Sequence, residues 1–204
     1  MKWYESLAEL NLNHKAWLWL QNPNSLTKFL KKQAGHETLT IHLLNQQWRA
    51  PSLQEQKRLD ISGLHEVLER KIFMSVMNKP WLYARTYFSK KASHYFGNDL
   101  NKLSSNSLGE LIAHAYPQIV RGSFEFAFVT SNDSLFTDIF NILQQYNSNL
   151  SMMLQRDLTN SILRDKLIVR RSLFYLHQDI LFNIDEIFLP ALINKILNLE
   201  VMAT

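Results

Sequence analysis

The sequence predicts an α+β fold in which about six strands form a mostly antiparallel sheet, with the helices collected on one side. Three observations carry this reading. Two pairs of alternating apolar segments flank Asn78-Lys79-Pro80 and His177-Gln178-Asp179, links short enough only for hairpins. Phe124, Phe126 and Phe128 mark another strand by their period of two. Residues 133 to 164 instead place apolar side chains at 135, 139, 142, 143, 146, 150, 153, 154, 158 and 162, a helical spacing.

From the N-terminus, residues 3 to 20 read as a helix that ends at Asn22-Pro23-Asn24-Ser25. Asn24 or Ser25 can cap a second helix, which runs to Lys32 and stops at Gly35. Residues 37 to 44 alternate as a strand, and 51 to 63 form a loop or short helix. Segments 66 to 77 and 81 to 88 make the first hairpin, and a short helix lies near 107 to 113. The stretch 133 to 164 is one or two core-packing helices, broken at Asn147-Ser148-Asn149. Segments 167 to 176 and 180 to 189 make the second hairpin, and 191 to 202 has the spacing of a packing helix rather than a membrane anchor.

With 204 residues, 46% of them hydrophobic, the chain is expected to form a single domain, 1–204, with a substantial core. Five glycines and five prolines leave little room for flexible linkers. The lack of cysteine removes disulfides, thiolate metal sites and cysteine nucleophiles, and it fits a reducing, cytoplasmic setting. No window supplies the run of about 20 apolar residues that a membrane helix needs. Glu5 precedes any apolar stretch, against a secretory signal. A net charge of +4, from 22 bases and 18 acids, is an ordinary solvated surface, and no basic arm or aromatic-basic motif suggests nucleic acid. His36 and His42 are too far apart to clamp a metal alone. Phosphate loops and nucleophile elbows are absent.

Two charges stand where apolar residues belong. Period-two counting puts Glu186 on the face of Ile180, Phe182, Ile184 and Phe188, and Arg70 on the face of Leu68, Ile72, Met74 and Val76. An unpaired buried carboxylate costs several kcal/mol, so Glu186 needs a partner, a proton or a ligand. The two residues read either as a buried structural ion pair or as part of a functional site. Arg85 shares a face with Trp81, Tyr83 and Tyr87, which suits cation–π packing or the wall of an anion pocket. Arg170 and Arg171 point to opposite faces, and the pattern alone does not say which one joins a pocket.

Arg70 through Pro80-Trp81 to Ala84-Arg85-Thr86, then Ser107-Leu108-Gly109-Glu110-Leu111, Arg170-Arg171-Ser172 and Asp185-Glu186-Ile187-Phe188-Leu189-Pro190 together resemble the chorismate pyruvate-lyases. These bacterial enzymes make 4-hydroxybenzoate for ubiquinone. The resemblance runs from about Trp17 to Pro190 with similar spacing except within 130 to 166, where a longer helical insertion is implied. It implies a chorismate lyase-like fold, a six-stranded antiparallel sheet with the ligand beneath helical flaps. It also implies a lyase that turns chorismate into 4-hydroxybenzoate and pyruvate without cofactor or metal.

By the same resemblance, Arg70 holds the ring carboxylate, assisted by backbone N–H groups at Leu26 and Leu108, and Glu186 takes the ring hydroxyl. Arg85 is the candidate for the enolpyruvyl carboxylate or the charge developing on the leaving group, with Arg171 a second candidate. Glu186 either assists proton removal or only binds. Burial would raise its pKa and a neighbouring arginine would lower it. The chain departs from the family at Leu26, where methionine is usual, at Ala84, where glycine is usual, and at Ser89, where proline is usual. The rival reading is a sensing domain of the same fold that binds a small aromatic acid without turning it over.

Overall fold

The computed structural model describes residues 1–10, 15–62, 65–159 and 166–201. Strands β1 (Leu39–Arg49), β2 (Val67–Val76), β3 (Lys79–Phe88), β4 (Ile119–Thr130), β5 (Lys166–Leu176) and β6 (Asp179–Phe188) form one antiparallel sheet in the order β1-β2-β3-β6-β5-β4. The helices are α1 (Leu26–Ala34), α2 (Leu53–Leu59), α3 (Lys90–Phe96), α4 (Asn98–Leu103), α5 (Leu108–Ala115), α6 (Ser134–Tyr146), α7 (Ser148–Thr159) and α8 (Pro190–Val201).

Both expected hairpins form, and their turns sit slightly earlier than the spacing implies. Met77 (φ 49°) and Asn78 (φ 57°) occupy the left-handed region that a two-residue hairpin turn needs. Pro80 therefore lies within β3 opposite Ser75, while Met74 pairs with Leu82. Trp81 is the extra residue of a bulge, and its ring joins the α8 cluster instead of the face of Tyr83 and Tyr87.

The core has two layers, one on each sheet face. On one face, Ile72, Met74, Leu82 and Phe188 pack with Leu30 of α1 and with Leu192 and Ile193 of α8. Farther along that face, Phe88 and Phe182 meet Ala92 and Phe96 of α3, Leu100 of α4 and Ile112 of α5. On the other face, Phe73, Tyr83, Val169 and Ile187 meet Leu135, Ile139 and Leu143 of α6 and Leu154 of α7.

The expectation of helices on one side thus holds for α1, α3 to α5 and α8, and is corrected for the rest. Helices α6 and α7, the expected insertion, cover the second face, because the odd-numbered apolar residues of β2, β3, β5 and β6 need burial too. Leu59 of α2 packs there as well, against Val67 and Tyr87. Residues 3 to 20 do not form one helix: Tyr4 exchanges backbone hydrogen bonds with Phe126, and 3-10 turns occupy Leu7–Leu10 and Lys15–Gln21. Positions 11–14, 63, 160–165 and 202 of the expected segments lie outside the described residues. Helices α3 and α4 had no counterpart in the sequence reading.

Candidate active site

Strand pairing brings the misplaced charges to one hollow. Arg70 of β2 stands opposite Thr86 of β3, and Glu186 of β6 stands opposite Ala84 of β3. Two inter-strand steps, about 10 Å, and two residues along β3, about 7 Å, therefore separate the arginine from the glutamate. Above them is a cavity of about 250 Å³, floored by Ile72, Leu82, Ala84, Thr86 and Ile184 and roofed by the starts of α1 and α5. An apolar cavity of about 150 Å³ already accepts a benzene ring, so this one has room for a ring with substituents.

Each roof helix starts at the cavity because a serine caps it. Ser25 Oγ accepts the Lys28 N–H, and Ser107 Oγ accepts the Glu110 N–H at 3.3 Å. The Thr27 and Ser107 hydroxyls lie 2.9 Å apart and tie the two helix starts together. Leu26 and Leu108 are the first residues of α1 and α5, and both line the cavity. Backbone N–H groups in a first helical turn have no partner inside the helix, so the two helix N-termini that meet at the cavity are chemically suited to donate hydrogen bonds to an anion.

Arg70 is 2% exposed. Its Nη2 donates to the carbonyls of Ser104 and Asn106 at 2.7 and 3.2 Å, and its Nε has no partner. Burial pushes its pKa down to about 10, which still leaves it charged at neutral pH. Among the described residues no carboxylate pairs with it.

Glu186 is not paired with Arg70, so the direct ion pair considered above is corrected. Its partner is Arg170, directly opposite on β5, whose Nε donates to Oε2 at 2.7 Å. Arg121 Nη2 reaches Oε1 at 3.4 Å. Burial works against the Glu186 charge, but Arg170 and Arg121 prevail and hold its pKa below the usual carboxylate value. Arg170 is itself fixed by the Leu20 carbonyl at 2.7 Å and by the Phe124 ring at 4.3 Å.

Arg121 also lines the cavity, between the Phe124 and Phe174 rings, with Nε unpartnered. Sequence reading missed it because a bulge breaks the alternation: Arg121 pairs with Phe174 and Phe124 with Ser172. Odd-numbered Arg121 and even-numbered Phe124 therefore share a face. The available signal was Gly122, a glycine inside a strand, where an added Cβ would come within 2.8 Å of the Tyr175 ring.

Arg85 and Arg171 do not line this cavity, so the expectation that they share one pocket with Arg70 and Glu186 is corrected. As neighbours of Ala84 and Arg170 they point through the opposite face. Arg85 pairs there with Asp185 at 3.1 Å and lies 4.8 Å from the Tyr87 ring centroid, while Arg171 pairs with Glu125 at 2.9 Å. His42 bonds Ser75 and Tyr146, and no cluster of three or more His, Asp or Glu side chains suited to a metal occurs among the described residues. No helix among them is long and apolar enough to cross a membrane.

Residues 2–197 match the family model described as Chorismate lyase. The chain belongs to the chorismate lyase family. A chorismate lyase relative from Coxiella burnetii, named probable chorismate pyruvate-lyase, is 30% identical over 174 residues, 85% of this chain and 82% of that protein. One of the same name from Idiomarina loihiensis is 37% identical over 92 residues, 45% of this chain and 46% of that protein.

Among solved structures, the effector domain of PhnF from Mycobacterium smegmatis superposes with a TM-score of 0.53 at 9% identity, covering 82% of this chain and 90% of that one. The C-terminal domain of the histidine utilization repressor from Pseudomonas syringae pv. tomato gives 0.52 at 10% identity, with coverage of 76% and 93%. At these identities the chorismate lyase fold is what the regulators share with this chain.

Proposed function

We propose that this chain is a chorismate lyase that converts chorismate to 4-hydroxybenzoate and pyruvate, the first committed step toward ubiquinone, in the cytoplasm. The observation that carries the reading is charge. Buried Arg70 and half-buried Arg121 line the cavity together with one carboxylate, Glu186, whose charge is already answered by buried Arg170 beside it. The surplus of two positive charges matches a substrate with two carboxylates, and it fits family membership and the relatives' names.

Arg70 and the N–H groups of Leu26 and Leu108 take the ring carboxylate, a guanidinium charge joined by two helix N-termini. Glu186, held ionised by Arg170, accepts the ring hydroxyl on the opposite wall. Arg121, which lines the cavity where Arg85 does not, takes the enolpyruvyl carboxylate. The reaction breaks the ring carbon–ether oxygen bond and removes the proton from the neighbouring carbon that bears the hydroxyl. The electrons of that C–H bond enter the ring, which becomes aromatic, and the departing enolpyruvate takes up a proton to become pyruvate. Aromatisation supplies the driving force, so the protein's work is positioning and charge stabilisation.

The test is to incubate purified protein with chorismate and follow both products by chromatography. Equal amounts of 4-hydroxybenzoate and pyruvate are expected. Saturable binding of 4-hydroxybenzoate without turnover would replace this reading with that of a sensing domain.

A further inference from the structure

We infer that the opposite face of the sheet carries a second anion site, built for a small monocarboxylate and centred on Arg85 and Tyr87. A hollow of about 510 Å³ lies there, between strands β3 and β6, helix α2 and the N-terminal Trp3. It is separate from the substrate cavity, since the sheet itself divides them.

Among the described residues, two hydrogen-bond donors in the hollow are left without partners. One is the hydroxyl of Tyr87, a side chain only 2% exposed, and the other is Arg85 Nε. The acceptors nearby are already used. Asp185 receives Arg85 Nη2 on one oxygen and Asn183 Nδ2 on the other, at 3.1 and 2.7 Å. Glu55 is gripped at both oxygens by Arg49, at 2.8 and 2.7 Å. Buried donors left unpaired in a roomy, polar hollow are suited to receive an acceptor group.

Charge narrows the class of that acceptor. Arg58 and Arg171 share the single carboxylate of Glu125, and Arg85 has Asp185. Across the linked ion pairs around the hollow, five cations, Arg49, Arg58, Arg85, Arg171 and Lys71, face four carboxylates, Glu55, Glu69, Glu125 and Asp185, which leaves one positive charge for a singly charged anion. Burial and nearby carboxylates hold the Tyr87 pKa well above its usual value, although Arg85 opposes them, so its hydroxyl stays a donor. A carboxylate offers two oxygens to two donors, and the volume admits anything from a three-carbon acid to a benzoate.

The products proposed above are both such anions, and this site can be tested without turnover. The intact chain is titrated by calorimetry with pyruvate and, separately, with 4-hydroxybenzoate, in the wild type, Tyr87→Phe and Arg70→Ala. For at least one ligand we expect a saturable site that weakens about tenfold in Tyr87→Phe and persists in Arg70→Ala. Which ligand it is identifies the source of the carboxylate. Because the hydroxyl has no partner among the described residues, Tyr87→Phe should melt at or above the wild-type temperature, which separates lost binding from lost folding. Binding insensitive to Tyr87→Phe for both ligands, or sensitive to both substitutions equally, would overturn the proposal. So would a ligand-saturated wild-type crystal structure showing only water beside the Tyr87 hydroxyl.

Discussion

Arg70 and Glu186 are each buried for a different reason, and substitution should separate them. Arg70 has backbone carbonyls to hold it but no carboxylate, so its charge is free for a ligand. Arg70→Ala should therefore cost about 2–5 kcal/mol of 4-hydroxybenzoate affinity by calorimetry; undiminished binding would remove it from the site. Arg121 should behave otherwise, because the product lacks the second carboxylate: Arg121→Gln should raise KM for chorismate about tenfold or more while changing the product's Kd far less.

Glu186 belongs to the fold as well as to the site. Its folded pKa lies below the ordinary 4.5, so its contribution is complete above about pH 4.5 and is lost as pH falls through the folded value. Glu186→Gln, which leaves Arg170 uncompensated, should cost about 3–5 kcal/mol at pH 7, and the gap to wild type in urea midpoint should narrow below pH 4.5. Parity along β6 made Glu186's face legible. Its partner was not, since Arg170 becomes a neighbour only through the pairing of β5 with β6.

At the scale of elements, the cavity depends on where α1 and α5 begin. Ser107 caps α5 and touches Thr27 at the start of α1. Ser107→Ala should cost about 1 kcal/mol of stability by chemical denaturation, and it should also weaken 4-hydroxybenzoate binding because the roof loosens. Helices α6 and α7 act on the other sheet face. Ile139→Ala, at a fully buried contact of α6, should cost about 2–5 kcal/mol and leave product affinity unchanged. The caps at Ser25 and Ser107 follow local rules and could be read from sequence. The bulge at Gly122 could not, because it is defined by the unequal residue counts on β4 and β5, a relation between two strands.

For the molecule as a whole, a modest net charge of +4 conceals the concentration of positive charge at the cavity. Attraction between that cavity and a dianion should exceed that for a monoanion. KM for chorismate should thus rise more steeply with salt than Kd for 4-hydroxybenzoate, measured from about 0.05 to 0.5 M ionic strength. Parallel slopes would show that only one substrate carboxylate meets the buried arginines.

Alternation, hairpin links and helical spacing are properties of neighbouring residues, and from them the sequence determined an α+β chain with six antiparallel strands and two charges on apolar faces. The resemblance of its motifs supplied the family. What each charge meets was decided by tertiary structure alone. Strand order placed Arg170 beside Glu186, a bulge turned Arg121 into the cavity, and the sheet put Arg85 and Arg171 on its far side. The physical reason is that strand periodicity gives every side chain one of two faces, whereas only the packed sheet determines which face holds the ligand and which strands stand together there.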